Sequence, residues 1–357
     1  MEYKIISSTD PLWLEILSKL RHDIYHLPEY LCLEANRLRT IPEAILISDG
    51  EKIFFLPYLI RSCENIADQE IDTQDIFDVI SPYGYPGILL SEAALNTPGF
   101  PDAALELMKQ EFRTRGICSA FLRLHPILNE SFTEIFHPET FRFNGKTVSV
   151  DLNVSNLWSQ TRKGHRSTIN KCKRLGMIAK IVSFKDSLDE FVAIYEETMG
   201  RVSATTGYYS FNSEYFTQMN ELLGDNLHLC LVEYEDEIAC VGLYTECCGI
   251  VQSTLGGTRN EFIHLSPSSL ETDFARLWFQ ERGNKFLHLG GGLGGSTEDS
   301  LYTFKSGFSP LSHSFLTLRL IVDEEKYHNL VNLRAKVIGR KASDLLQSDF
   351  FPAYRSH

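Results

Sequence analysis

The chain has 357 residues, 43% of them hydrophobic and 23% charged, with 47 acidic against 34 basic side chains and a formal net charge of −13. That length exceeds one ordinary core and suits two domains, and the composition excludes a disordered or low-complexity chain. The acidic balance disfavours broad, non-specific binding to nucleic acid, which needs clustered Lys and Arg, although one local basic exception exists.

The N-terminus, MEYKIISSTDPLWLEI, has neither the basic start nor the apolar stretch of a signal peptide. No run of about 18 apolar residues suggests a membrane span. The eight cysteines are irregularly spaced and form no CxxC pair, which fits neither a disulfide framework nor a zinc site. A cytoplasmic protein without a bound metal is the expectation.

The first half opens with helices over Pro11–Leu20 and Glu29–Arg37. Two β-rich runs follow, Ala44–Ser48 and Ile53–Ile60, joined by Ser48-Asp49-Gly50-Glu51, in which Gly50 can take positive φ. After an acidic loop and the segment DVISPYGYPGILL, a helix over Pro101–Arg115 ends at Gly116, and Ala120–His125 is a strand.

The second half repeats the order. It has a helix over Leu157–Leu175 stopped by Gly176, a strand at Ile178–Ser183, and helices over Leu188–Met199 and Ser213–Leu223. Leu227–Tyr234 and Ile238–Cys247 read as a hairpin through Glu235-Asp236-Glu237, with Gly249–Gly256 as a further strand. Pro267 suits the first turn of the next helix, with Ser268 and Glu271 as a capping box. That helix runs to Gly283, before strands at Lys285–Leu289 and Leu316–Val322 and a polar tail helix. A meander, then a helix, then one more strand is not the regular alternation of a doubly wound sheet.

Leu287–Phe308, LHLGGGLGGSTEDSLYTFKSGF, is a strand, a glycine-rich turn and a helix. Gly290, Gly292 and Gly295 satisfy GxGxxG, but only about sixty residues follow, which leaves no room for the later strands of a dinucleotide-binding sheet. Ser296 and Asp299 form a capping-box pattern that starts a helix at Thr297 and ends it near Gly307. Five glycines in six residues exceed what a turn needs. Gly290, Gly291, Gly292 and Ser296 therefore read as a ligand-facing loop, with free N–H groups at the helix start. Lys305 on that helix is either one more solvated cation or a donor to the oxygen that turns negative in an acyl-transfer intermediate.

Between Thr161 and Lys180 stand seven Lys or Arg and no acid. At helical spacing Arg162, Arg166 and Lys173 share a face, with Lys163 nearby, while Trp158, His165, Ile169 and Cys172 line the next. This is a solvated face or a phosphate clamp. Arg201, Tyr208 and Tyr209 in RVSATTGYYSF suit an acceptor-binding loop, and Tyr83 and Tyr85 in SPYGYPG a rigid pocket wall; plain packing explains the tyrosines as well. His22 and His26 have metal-ligand spacing but no evident third ligand.

These segments resemble the Fem-like acyltransferases of the GNAT superfamily, which include the aminoacyltransferases that build peptidoglycan cross-bridges. The matching pieces are YHLPEYL (25–31), SPYGYPG (81–87), FLRLHP (121–126), LWSQTRKGHRSTINKCKRLG (157–176), and LHLGGG followed by LYTFKSGF. The resemblance implies an α/β fold of tandem GNAT domains, each a mixed, largely antiparallel sheet flanked by helices. Residues 1–150, completed by 323–357, would form the first domain, and 151–322 the second, with the glycine loop and FK motif. It implies Lys305 near the reacting carbonyl and favours a phosphate clamp for the basic helix. It also implies transfer of an acyl or aminoacyl group to an amine of a small-molecule, sugar or peptidoglycan-type acceptor.

Ordinary GNAT enzymes hold the coenzyme A pyrophosphate with a [QR]xxGx[GA] loop; here that place reads TRNEFIHLSPSS, without a glycine. The donor stays open between acyl-CoA, another acyl thioester and aminoacyl-tRNA, used as a co-substrate, with no tightly bound cofactor. A tRNA acceptor end is thus a candidate partner, and the protein is a monomer or homodimer. The alternatives are a catalytically inactive GNAT-like module for a nucleotide-linked ligand and a nucleic-acid binder using the basic helix.

Overall fold

A computed structural model describes residues 1–356 apart from 65, 67–74, 203–210 and 294–295. In chain order the elements are β1 (Glu2–Ser7), α1 (Leu12–Lys19), α2 (Pro28–Leu38), β2 (Ile41–Asp49), β3 (Lys52–Ser62), β4 (Phe77–Ile80), β5 (Leu89–Leu90), α3 (Glu92–Leu95), α4 (Phe100–Thr114), β6 (Ile117–Arg123), α5 (Phe132–Ile135) and β7 (Arg142–Asp151). They continue with α6 (Leu157–Gln160), α7 (Lys163–Arg174), β8 (Ile178–Val182), α8 (Leu188–Arg201), α9 (Ser213–Leu223), β9 (Leu227–Tyr234), β10 (Glu237–Cys247), β11 (Ile250–Thr258), α10 (Ser268–Glu281), β12 (Phe286–Gly291), α11 (Ser300–Lys305), β13 (Ser312–Ile321), α12 (Glu324–Ile338) and α13 (Ala342–Leu346).

The chain divides into two compact units, residues 1–144 with 315–357, and residues 145–314. The sequence reading put these limits at 150 and 322. They fall instead inside β7 and β13, where no loop punctuates the sequence.

In the first unit the strands run β1-β2-β3-β4-β6-β13, with β5 beside β3; β4 and β6 pair in parallel and the other neighbours are antiparallel. Its central strands are apolar nearly end to end because both faces are covered. Ile45, Ile47, Phe54 and Leu56 meet Phe100, Ala104, Met108 and Phe112 of α4. The alternating residues Ala44, Leu46, Ile53 and Phe55 meet Trp13, Ile16 and Leu17 of α1 and Leu31 and Ala35 of α2. The C-terminal segment is anchored by the buried Asp78, whose carboxylate accepts from Arg61 Nε at 2.7 Å, Tyr354 Oη at 3.0 Å and Arg355 Nε at 2.5 Å.

In the second unit the order is β7-β12-β11-β10-β9-β8, with β11 and β12 parallel and the rest antiparallel. Cys240 and Tyr244 of β10 pack with Leu270, Ala275 and Phe279 of α10 and with Ile169 and Cys172 of α7. On α8, the Ile194 carbonyl would lie 2.7 Å from a Cβ at Gly257, so only glycine lets that helix approach β11 so closely.

The β9–β10 turn uses Glu235 and Asp236 at φ +52° and +66°. The basic stretch read as one helix is two, because Thr161 is extended (ψ 129°) between α6 and α7. The capping box expected at Ser268 and Glu271 is absent: no side chain caps α10, and Glu271 is buried with Tyr244 Oη donating to it at 2.8 Å.

Candidate active site

The second unit's parallel pair opens into a fork. Residues 250–252 of β11 pair with 286–288 of β12, and the register goes no further. At the last paired position Gln252 and His288 are both buried, with Gln252 Oε1 2.6 Å from His288 Nδ1. Past it both strands change course. Leu243 faces Leu255 and Tyr244 faces Ser253, so Thr254 is the extra residue of a bulge in β11. His288 faces Ser149 and Gly290 faces Val148, so Leu289 is the extra residue of one in β12, where Gly290 has φ +78°.

The glycine loop leaves the end of β12 and returns as α11. Gly291 faces Thr147 of β7, and its carbonyl oxygen accepts from Lys305 Nζ at 2.7 Å. The Lys305 side chain is half-buried, and desolvation pushes its pKa down to about 8, opposed by the negative charge of Asp299. An ammonium carries three donors, and Gly291 takes one.

The helix start differs from the sequence reading. The N-cap is Asp299 and not Ser296, and α11 begins at Ser300. Asp299 Oδ1 accepts from Leu301 N at 2.6 Å and Tyr302 N at 3.1 Å, so N–H groups expected to face a ligand are satisfied by the chain itself. Ser296 is exposed, and its hydroxyl accepts from Glu298 N at 3.1 Å. A Cβ at Gly292 would lie 1.7 Å from Asp299 Oδ2 and 2.6 Å from the Ser296 carbonyl oxygen, so Gly292 makes room for this turn.

The far end of α11 is held by the basic segment. Arg162 N donates to Gly307 O at 2.8 Å, and its guanidinium reaches Ser306 Oγ at 3.2 Å and Thr303 O at 3.5 Å. His165 Nε2 donates to Phe304 O at 2.9 Å, and the ring packs on Phe304 and Phe308. Beneath them the buried Arg276 pairs with Asp273 at 2.6 Å and donates to Leu157 O and Phe308 O at 3.4 and 3.3 Å.

Two members of the expected phosphate clamp are therefore engaged within the protein: Arg162 with α11, and Lys173 with Asp273 at 3.3 Å and over the Trp158 ring. Among the described residues Lys163 and Arg166 form no ion pair; Lys163 is exposed and Arg166 half-buried. Arg201 closes the end of α8 onto β11, donating to Thr258 O at 3.1 Å and to Asn260 Oδ1 at 2.5 Å. Tyr208 and Tyr209 lie outside the described residues.

Tyr83 and Tyr85 belong to the first unit, where their loop is pinned in place. Tyr83 N donates to Glu34 Oε2 at 3.0 Å, Tyr83 O accepts from Tyr30 Oη at 3.1 Å, and Tyr85 meets the Phe315 ring edge-on at 5.1 Å.

The place of the usual pyrophosphate loop, after β11, is also self-engaged. Asn260 N donates to Glu197 Oε1 at 2.5 Å, and Arg259 pairs with Glu190 at 2.8 Å and donates to Ile238 O at 3.0 Å.

No protein-family model and no curated protein matches the sequence. Solved structures do. The crystal structure of FemX matches with a TM-score of 0.67 at 12% identity, over 92% of this chain and 99% of that one.

The fold is that of FemX.

The Fem-like fold is also similar to L-PGS from Bacillus licheniformis (TM-score 0.55, 15% identity, 95% of this chain and 100% of that one). A further match is the C-terminal domain of a putative lysylphosphatidylglycerol synthetase from Agrobacterium fabrum (0.53, 13%, 82% and 86%). Within this Fem-like architecture, the fork, the loop after it and Lys305 form one constellation in a single unit. The sequence reading missed Asp299, Gly292 and His165 as its supports. A run of small residues ending in two acids, GGLGGSTED, was the local signal for Gly292 and Asp299; His165 had none there.

Proposed function

We propose that the second unit is an acyltransferase centre, which moves an acyl or aminoacyl group from an activated ester or thioester to an amine. The observation that carries this is Lys305, an ammonium held beside the open fork by a hydrogen bond to Gly291 O and with no other hydrogen-bond partner among the described residues. In the reaction a neutral amine attacks the donor carbonyl and a C–N bond forms. The carbonyl electron pair moves to oxygen, then returns as the C–O or C–S bond to the carrier breaks, and the amine's surplus proton leaves with the carrier or to water. Lys305 donates to the oxygen while it is negative. Positioning and this electrostatic contact supply the rate, with no covalent enzyme intermediate.

The carboxylate of Glu197 on Asn260 N is poorly suited to a coenzyme A pyrophosphate at that place, and supports an aminoacyl ester on tRNA or an acyl group on another carrier. A tRNA is a polyanion, for which Lys163 and Arg166, which form no ion pair among the described residues, are suitable contacts. The FemX and L-PGS likenesses are in keeping with an amine acceptor or an aminoacyl group, the acceptor being a small molecule or a sugar- or peptide-linked amine.

The test is mass spectrometry of the protein incubated with acetyl-CoA or charged tRNA and a panel of amines. Transfer is expected, and Lys305→Met should lower turnover by about 10²-fold or more, as for loss of an oxyanion donor. Ligand binding without transfer from any donor would make the protein a binding module. Turnover within a few-fold of the parent would remove Lys305 from the mechanism.

A further inference from the structure

We infer that Asp299 is a positioning residue for Lys305: its carboxylate, tucked against Gly292, caps the helix that carries the lysine and keeps the half-buried ammonium charged. This rests on the role given to Lys305 above.

The two oxygens of Asp299 do different things. Oδ1 takes the Leu301 and Tyr302 N–H groups and fixes where α11 begins, and thus where Lys305, at its last turn, comes to lie. Oδ2 is buried and has no hydrogen-bond partner among the described residues. A buried carboxylate oxygen without a donor is costly, and it persists where a nearby cation compensates it. That cation is Lys305, whose titration is opposed in its downward shift by the Asp299 charge. The two make no direct ion pair. The Gly291 carbonyl takes the ammonium proton and the next residue, Gly292, accommodates the carboxylate, so the charges share one turn of backbone without neutralising each other by contact. An ammonium tied up in a salt bridge would have fewer donors for an oxyanion.

Other charged groups around Lys305 face elsewhere. Arg162 and His165 of α7 engage Thr303, Phe304, Ser306 and Gly307 at the far end of α11. Lys146 of β7, whose carbonyl oxygen lies beside Gly291, and Glu298 in the loop are exposed.

The test is NMR titration of the protein labelled with ¹³C at lysine Cε, with the Lys305 resonance assigned by its loss in Lys305→Gln. Asp299→Asn keeps a good N-cap of equal size and removes only the charge. The Lys305 titration should move down by about one pH unit, while Asp299→Glu restores it in part. Should Asp299→Asn fail to fold, Asp299→Ser, another N-cap former, gives the same readout. A folded variant in which Lys305 titrates at the parent pH overturns the inference. No substrate is needed, so the two readings fail separately: a shifted titration in a protein that transfers nothing sinks the acyltransferase reading alone, and an unshifted titration in an active enzyme sinks only the part given to Asp299.

Discussion

The imidazole of His165 occupies the volume a side chain at Gly307 would need: a Cβ there would lie 2.1 Å from Cε1 and 2.3 Å from Nε2 of the ring. The ring also donates to Phe304 O, so it cannot step aside without losing that bond. The pair locks α11, and with it Lys305, against the basic helix.

Gly307→Ala should therefore destabilise the protein by about 1–3 kcal/mol, the usual range for overpacking. Equilibrium urea denaturation checks it. The double variant Gly307→Ala, His165→Ala should recover part of the loss, and additive effects would show that the two residues do not share the space.

Burial lowers the Lys305 pKa to about 8. The charged ammonium is a much stronger donor to an oxyanion than the neutral amine, so kcat for acyl transfer should fall as pH rises through about 8. The stability sign is opposite. The folded pKa lies below the unfolded value, so the unfolded chain binds more protons between about 8 and the ordinary lysine range of about 10.4, and stability rises with pH there. A kcat profile flat up to the ordinary lysine range would contradict the assignment.

Glu271 is fully buried, and desolvation raises its pKa to about 7 despite hydrogen bonds from Tyr244 and Thr272. Between the ordinary glutamate value and about 7 the folded chain holds the extra proton, so this residue's contribution is present below that window and is lost as pH rises through it. Glu271→Gln should flatten this dependence and stabilise the protein at pH 8 by up to about 3 kcal/mol. Thermal unfolding of both proteins at pH 5 and pH 8 measures it; equal pH dependence in the two would refute it.

The basic segment should divide by function. Lys163→Ala with Arg166→Ala should weaken binding of a tRNA-borne donor and reduce the slope of log affinity against log salt by roughly 0.9 per lost phosphate contact, with the fold intact. Arg162→Ala should instead loosen α11 and lower thermal stability. Filter binding at a series of salt concentrations separates them, and an unchanged slope in the double variant would exclude these two side chains from the donor site.

The periodicity of the sequence located most helices and strands to within a few residues, because local burial on one or two faces writes itself into the pattern of apolar side chains. β7 was invisible: half of it, RFNGKT, is polar and half, VSVD, alternates, and its pairing partner β12 is remote in sequence. The glycine loop and Lys305 stood out by composition, since five glycines in six residues have no cheap structural reason. Which side chains would serve Lys305 was not legible there. Asp299 is one acid in STEDS, Arg162 one base among seven, and His165 one lateral residue of a helix. The roles of Arg162 and His165 arise from contacts between segments more than a hundred residues apart, as between Arg162 and Ser306, and that of Asp299 from how its own loop folds back on Gly292. Local sequence determines which backbone conformations are cheap; which charge ends beside which carbonyl is decided only when the strands of the fork part and α11 is packed against α7.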